Sequence, residues 1–222
     1  MRLAPVFAAI GLFAAPVHAA SVTYALTQSN VLADGVHWAT VSLETVGADV
    51  QFTVTTVPQA VYSAGPNFGL QSFAFNSALD LTSANLLLPS DWSLSTGRTV
   101  SGFGRFEYLL SATGSSRQDP LVFSITGVDG DLPETYFELS TRTAAQGNVP
   151  FAAHLAGFVS GACVNETTGA TMACSSGYIG GGVPMLPSMD SSSVAAVPLP
   201  ASIWLLISAL LGIVGIGRRR RA

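Results

Sequence analysis

The stretch ATVSLETVGADVQFTVTT, residues 39–56, decides the fold class of this 222-residue chain. Its first half places apolar residues at every second position from Ala39 to Leu43, and its second half does the same at Phe52 and Val54. This alternation is typical of a β-strand with one buried face, since successive side chains point to opposite faces. The residues GAD between the two halves form a turn signal. The stretch therefore predicts two half-buried strands separated by a turn.

The same alternation recurs along the chain, and no helical period persists. Further strands are predicted at Phe73 and Phe75, at Phe106, Tyr108 and Leu110, at Leu121, Phe123 and Ile125, and at Phe137 and Leu139. Turn signals between strands are Asp34-Gly35, Gly65-Pro66-Asn67, Asp119-Pro120 and Asp129-Gly130. The segment FAAHLAGF, residues 151–158, allows a strand or a short helix, and its flanking proline and internal glycine favour a strand. We expect an antiparallel β-sandwich or jelly roll of about eight to eleven strands with a Phe-lined core.

Two cysteines, Cys163 and Cys174, enclose ten residues. In an oxidising compartment such a pair predicts a disulfide that closes a hairpin-like loop and stabilises the fold by about 3 kcal/mol. A metal site here would need further ligands at defined spacing, and none is close.

The N-terminus has the three parts of a secretory signal peptide. A short charged region is followed by an apolar region, Leu3 to Ala15, and by the small-residue cleavage site Val17-His18-Ala19. The apolar region is too short to span a membrane. We expect residues 1–20 to be removed on export.

The C-terminus reads VPLPASIWLLISALLGIVGIGRRRRA, residues 197–222. Residues 201–217 carry no ionisable group, and at 1.5 Å per residue they give a helix of about 25 Å. This is slightly less than the roughly 30 Å hydrocarbon core, so the helix spans the bilayer only by including residues 198–200 or by thinning the membrane. The four arginines that follow, Arg218, Arg219, Arg220 and Arg221, place the C-terminus on the cytoplasmic side. The sequence predicts one transmembrane helix with the preceding residues outside. An ordinary tail anchor is the alternative.

The order of features in this tail resembles the PEP-CTERM sorting signal of Gram-negative bacteria. The motif is carried by Val197, Pro198, Leu199, Pro200 and Ala201, with leucine where the family name has glutamate. Phrases within residues 23–30, 68–78, 113–127 and 146–158 also resemble PEP-CTERM ectodomains. The resemblance implies exosortase as the processing partner, membrane attachment through the helix, and association with exopolysaccharide or biofilm. It implies no activity for the domain outside.

The chain divides into a signal peptide (1–20), a β-sandwich ectodomain (21–179), a Gly- and Ser-rich flexible linker (180–196) and the sorting signal (197–222). Residues 21–197 hold four arginines, no lysine and all 13 acidic residues, a formal charge of −9. This charge argues against nucleic acid as a partner. We expect a membrane-anchored precursor, with the mature domain in the periplasm, on the cell surface or outside.

Candidates for chemistry are few, and we assign no catalytic residue, cofactor or metal from the sequence. His37 and His154 are the histidines remaining after export, too few for a multi-histidine metal site. Carboxylates in pairs, as a glycosidase uses, occur at Asp129 with Asp131 and at Glu134 with Glu138. On a strand the second pair would lie about 13 Å apart, too far for either mechanism. The first pair reads as a turn, with a weak calcium loop as the alternative.

A carbohydrate-binding module would present aromatic side chains on an exposed sheet face. Trp38, Trp92, Tyr62 and Tyr178 are the candidates, with burial in the core as the alternative for each. The leading functional interpretation is a non-enzymatic surface or matrix component. A carbohydrate-binding module is the second, and a secreted hydrolase with a polar cleft is the third.

Overall fold

The computed structural model describes residues 21–57, 64–158, 163–164, 170–172 and 174–185. The predicted signal peptide, most of the predicted linker, the sorting motif and the arginine cluster lie outside the described residues. No helix among the described residues is long and apolar enough to cross a membrane.

The regular structure of the described residues is mostly antiparallel β-strand, which confirms the predicted all-β class. Two short 3₁₀ helices, Ser83–Asn85 and Pro133–Tyr136, interrupt the strands. The strands are β1 (Ser21–Ser29), β2 (Ala39–Val46), β3 (Asp49–Thr56), β4 (Ala64–Phe75), β5 (Leu86–Leu87), β6 (Trp92–Val100), β7 (Gly104–Ala112), β8 (Leu121–Ile125), β9 (Phe151–Phe158), β10 (Cys163–Val164), β11 (Thr171–Met172) and β12 (Ser176–Pro184).

Within these residues ten strands form one sheet in the order β5-β8-β3-β2-β1-β12-β9-β4-β7-β6. The sheet curls until its two halves face each other. Phe52 of β3 and Phe123 of β8 contact Phe73 and Phe75 of β4, with ring centroids 5.3 Å apart for Phe52 and Phe75 and 5.9 Å apart for Phe73 and Phe123. Four strands separate β3 from β4 in the sheet order, so only curling brings these rings together. The result is a sandwich-like fold with the predicted Phe-lined core.

A second, smaller core covers part of the outer face of the same sheet. Ala74 of β4 and Ala152 of β9 point outward and are fully or almost fully buried under Phe103 and Val149. Ser140 holds this cover in place, since its hydroxyl donates to the Phe103 carbonyl at 2.6 Å and accepts from the Val149 amide at 3.2 Å. Only the remainder of this outer face is open to solvent.

The predicted disulfide is present. Cys163 and Cys174 are bonded, with Cα atoms 5.8 Å apart, a normal span for a disulfide. β10 and β11 pair as a separate two-stranded sheet within the enclosed loop. The disulfide is compatible with an oxidising periplasmic or extracellular location.

Three local predictions differ from the structure. Phe137 and Leu139 are exposed and belong to no strand, because Pro133 begins a 3₁₀ turn where the first residue needs no amide hydrogen bond. The turn signal Gly65-Pro66-Asn67 lies inside β4, where a register shift between Ala64 and Gly69 accommodates the proline.

The third difference concerns the predicted start of the linker at residue 180. β12 continues through Pro184, so the first residues of that range are strand. The glycines here serve packing, since a Cβ added at Gly180 would lie 2.6 Å from the ring of Phe103. At the end of β12, the glycine-rich composition therefore reflects close packing against the outer cover and not a flexible linker.

Candidate functional site

The two tryptophans among the carbohydrate-binding candidates are buried, which is the alternative that the sequence left open for them. Trp38 is 1 % exposed and Trp92 is 7 % exposed, and both pack in the main core. Their indole N–H groups donate to the carbonyls of Ala33 and Ser116, each at 3.0 Å. Tyr62 lies outside the described residues.

The fourth aromatic candidate, Tyr178, lies half-buried on the outer face of the sheet and begins a row of side chains that crosses five strands. Direct cross-strand pairing runs from Tyr178 on β12 to His154 on β9, Ser72 on β4, Ser111 on β7 and Ser93 on β6. At about 4.8 Å per strand the row is about 19 Å long. We call these five residues the polar strip.

An aromatic pair forms one end of the polar strip. The rings of His154 and Tyr178 stack with centroids 4.4 Å apart and an interplanar angle of 17°. Burial, and then the positive charge of Arg117, lower the pKa of His154 below its usual value. The imidazole is therefore neutral at pH 7, with one nitrogen able to donate a hydrogen bond and the other able to accept one.

Most polar groups of the strip have no hydrogen-bond partner among the residues that the structure describes. Within the described part of the chain, the hydroxyls of Tyr178, Ser72 and Ser111 and the ring nitrogens of His154 make no hydrogen bond, whereas the Ser93 hydroxyl is 3.5 Å from the Ser111 carbonyl. Hydroxyls and a neutral imidazole each donate and accept. The strip can therefore bind a ligand that is itself rich in hydroxyl groups.

Arg117 lies beside the middle of the strip. Its Nε donates to the side-chain oxygen of Gln71, the neighbour of Ser72, at 3.0 Å, and one terminal nitrogen donates to the Asn67 carbonyl at 2.8 Å. Both acceptors are neutral. The guanidinium is thus held in place, and its charge acts on the nearby His154 imidazole.

The predicted carboxylate pairs do not form a common site. Asp129 is exposed in the predicted turn, whereas Asp131 is 6 % exposed and points inward. Glu134 lies in the 3₁₀ helix and not on a strand. The separation of about 13 Å between Glu134 and Glu138 assumed strand geometry, so that assumption is wrong. No group of three or more His, Cys, Asp or Glu side chains suited to a metal ion occurs in the described ranges.

A groove of about 520 Å³ lies elsewhere, beside β6 and β7. Its charged lining residues are Asp80, Arg105, Glu107 and Arg142. None of the candidate site residues identified from the sequence lines it. His37 does not line this groove, and its Nε2 lies 3.0 Å from the Thr40 hydroxyl oxygen.

Sequence reasoning identified Tyr178 and His154 separately but missed the three serines and Arg117. Serines alternate with apolar residues in many strands, and only the pairing of distant strands places these three in one row. The adjacent phrase SSRQDP, in which Arg117 stands among turn-forming residues, gives no signal of a fixed guanidinium. No family model, curated protein or solved structure matches the chain.

Proposed function

We propose that this chain is an exported, exosortase-sorted protein of the Gram-negative cell envelope, a non-enzymatic surface or matrix component associated with exopolysaccharide. The disulfide between Cys163 and Cys174 supports export to an oxidising compartment. The order of motif, apolar segment and arginines in residues 197–222 supports processing by exosortase from a membrane-anchored precursor.

Intact-mass measurement of the protein recovered from cells tests this proposal. We expect a mass that lacks residues 1–20 and also lacks the apolar segment and arginines after removal by exosortase. The protein should accumulate in a larger, membrane-bound form in cells without exosortase. A full-length cytoplasmic protein with reduced cysteines would refute the proposal.

The polar strip favours a second, more specific role, binding of carbohydrate. The half-buried pair of His154 and Tyr178 places aromatic rings at one end of the strip, and the serines offer hydrogen-bonding groups at the spacing of neighbouring strands. The strip lies on an open sheet face, which suits an extended chain of sugar units better than a small molecule.

Substitution of Tyr178 by alanine should remove retention of the secreted protein on insoluble polysaccharide. The matched control is Phe137→Ala, which removes another exposed aromatic ring, 41 % exposed, outside the strip. Equal loss of retention in the two variants would show non-specific adsorption and would exclude the strip as the site.

A further inference from the structure

The fixed arginine beside the polar strip identifies the kind of carbohydrate that would bind there. We infer that the strip and Arg117 together form a site for an acidic glycan, with sugar rings along the strip and a uronic-acid carboxylate on the Arg117 guanidinium. This inference rests on the proposed carbohydrate-binding role and adds the charge of the ligand.

The first argument is the state of the guanidinium. Arg117 donates to Gln71 and to the Asn67 carbonyl, and it forms no ion pair with a carboxylate in the described part of the chain. An arginine has five N–H donors, and these two bonds leave donors on the terminal nitrogens for a ligand. Because the side chain is already held, little conformational entropy is lost when a carboxylate binds.

The second argument is the local sign of the charge. Residues 21–197 carry a formal charge of −9, so an arginine with an acidic partner would be the ordinary arrangement. Instead Arg117 has neutral acceptors, and it is the charged group that perturbs His154. The middle of the strip is therefore locally positive on a domain that is acidic as a whole.

The third argument is the placement of the aromatic end relative to the cation. Tyr178 and Ser72 flank His154 on neighbouring strands, and Gln71, which holds Arg117, is adjacent to Ser72. The rings of Tyr178 and His154, the Ser72 hydroxyl and the guanidinium of Arg117 are thus arranged in this order across three strands. Together they cover about 10 Å. A glycan that carries a carboxylate on successive sugar rings matches this sequence of groups.

Affinity electrophoresis of the purified exported protein tests the inference with two polymers. Polygalacturonate carries one carboxylate per sugar, and its methyl-esterified form has the same backbone without the charge. We expect retardation by polygalacturonate and weaker retardation by the ester. Because the net charge of the domain repels a polyanion, non-specific attraction cannot produce this preference.

Arg117→Gln should raise the Kd for polygalacturonate about 10- to 100-fold, the range for loss of a hydrogen bond to a charged group. Binding of the ester should change little. The matched control is Arg98→Gln, which makes the same change in net charge at an exposed position on β6. It should leave both affinities within about twofold, since it alters only screened long-range electrostatics.

Arg117→Lys is a second variant that separates a loss of binding from a loss of folding. It keeps the positive charge but lacks the planar guanidinium that Gln71 and Asn67 hold. It should bind polygalacturonate with intermediate affinity and keep the thermal midpoint of the parent. Equal affinity for the two polymers, or equal losses in the Arg117 and Arg98 variants, would overturn the acidic-glycan site and leave carbohydrate binding standing. Binding to neither polymer would also overturn the acidic-glycan site. The proposed export and sorting are tested separately, by the intact-mass measurement.

Discussion

Replacement of Asp131 by asparagine should stabilise the folded domain at neutral pH. Asp131 is 6 % exposed, and neither of its carboxylate oxygens makes a hydrogen bond in the described part of the chain. Burial, and then the negative charge of Asp49, raise the pKa of this carboxyl, while the nearby hydroxyls of Tyr136 and Thr135 act in the opposite direction. Burial therefore disfavours the charged form of Asp131 in the folded protein.

The magnitude follows from the cost of a buried polar group without a partner, about 1–3 kcal/mol and more for a charged one. Asparagine removes the charge but keeps two polar atoms to bury. We therefore expect Asp131→Asn to raise the free energy of unfolding by about 1–2 kcal/mol at pH 7.

The pH dependence has a definite sign. A pKa raised on folding means that the contribution of Asp131 to stability is fully present below the unfolded-state pKa of about 3.9. It is lost as the pH rises through the folded-state pKa. The gain in stability of the variant over the parent protein should therefore be small near pH 4 and should grow toward neutral pH.

Urea denaturation from pH 4 to 8, followed by tryptophan fluorescence without reductant, measures both effects. Asp129→Asn is the matched control, because it removes an exposed carboxylate two residues away and should change stability by less than about 0.5 kcal/mol. A variant at Asp131 that is less stable than the parent protein at pH 7 would refute the reasoning. It would show that the carboxylate makes a favourable interaction in solution.

Two further predictions concern packing and the disulfide. Gly180→Ala should lower the free energy of unfolding by about 1–3 kcal/mol, since its Cβ would lie 2.6 Å from the ring of Phe103. Gly114→Ala should cost less, because its Cβ would lie 3.2 Å from one terminal nitrogen of Arg117 and a small shift of that nitrogen relieves the contact. Urea denaturation of both variants distinguishes a steric effect from a general glycine effect. Joint replacement of Cys163 and Cys174 by alanine should lower stability by about 3 kcal/mol, and a reductant should then have no further effect on the denaturation midpoint. An unchanged midpoint in the double variant would show that the bond does not constrain the chain.

The positions of most strands could be predicted from the sequence because alternation is a local property. Residues 39–56 form β2 and β3 with the expected turn, and the ambiguous segment 151–158 is strand β9. The order of strands in the sheet is non-local, and it places β12 between β1 and β9 although the chain reaches it last. The curling that joins β3 and β4 through their phenylalanines likewise has no local signal.

Trp38 shows why periodicity failed at the candidate site. On a regular strand it would point away from Ala39, and that parity predicts exposure. Instead it directly precedes β2, donates its backbone N–H to the Leu26 carbonyl at 2.9 Å and turns its indole inward to Ala33. Strand ends break the alternation, and a sandwich gains about 1.5–3 kcal/mol from each large apolar side chain that it can bury.

The polar strip is informative because its composition is not explained by solvation alone. Small polar residues are common where a sheet face is open to solvent. Ser72, Ser111 and Ser93 alone would therefore not indicate a binding site. A half-buried aromatic pair exposes apolar ring surface to water, and a held arginine without a carboxylate forgoes an ion pair. Neither feature belongs to the main core, which the phenylalanines fill, although Tyr178 also packs against the edge of the outer cover. Because the aromatic pair and Arg117 lie next to each other on this outer face, it is the candidate ligand-binding surface of the domain.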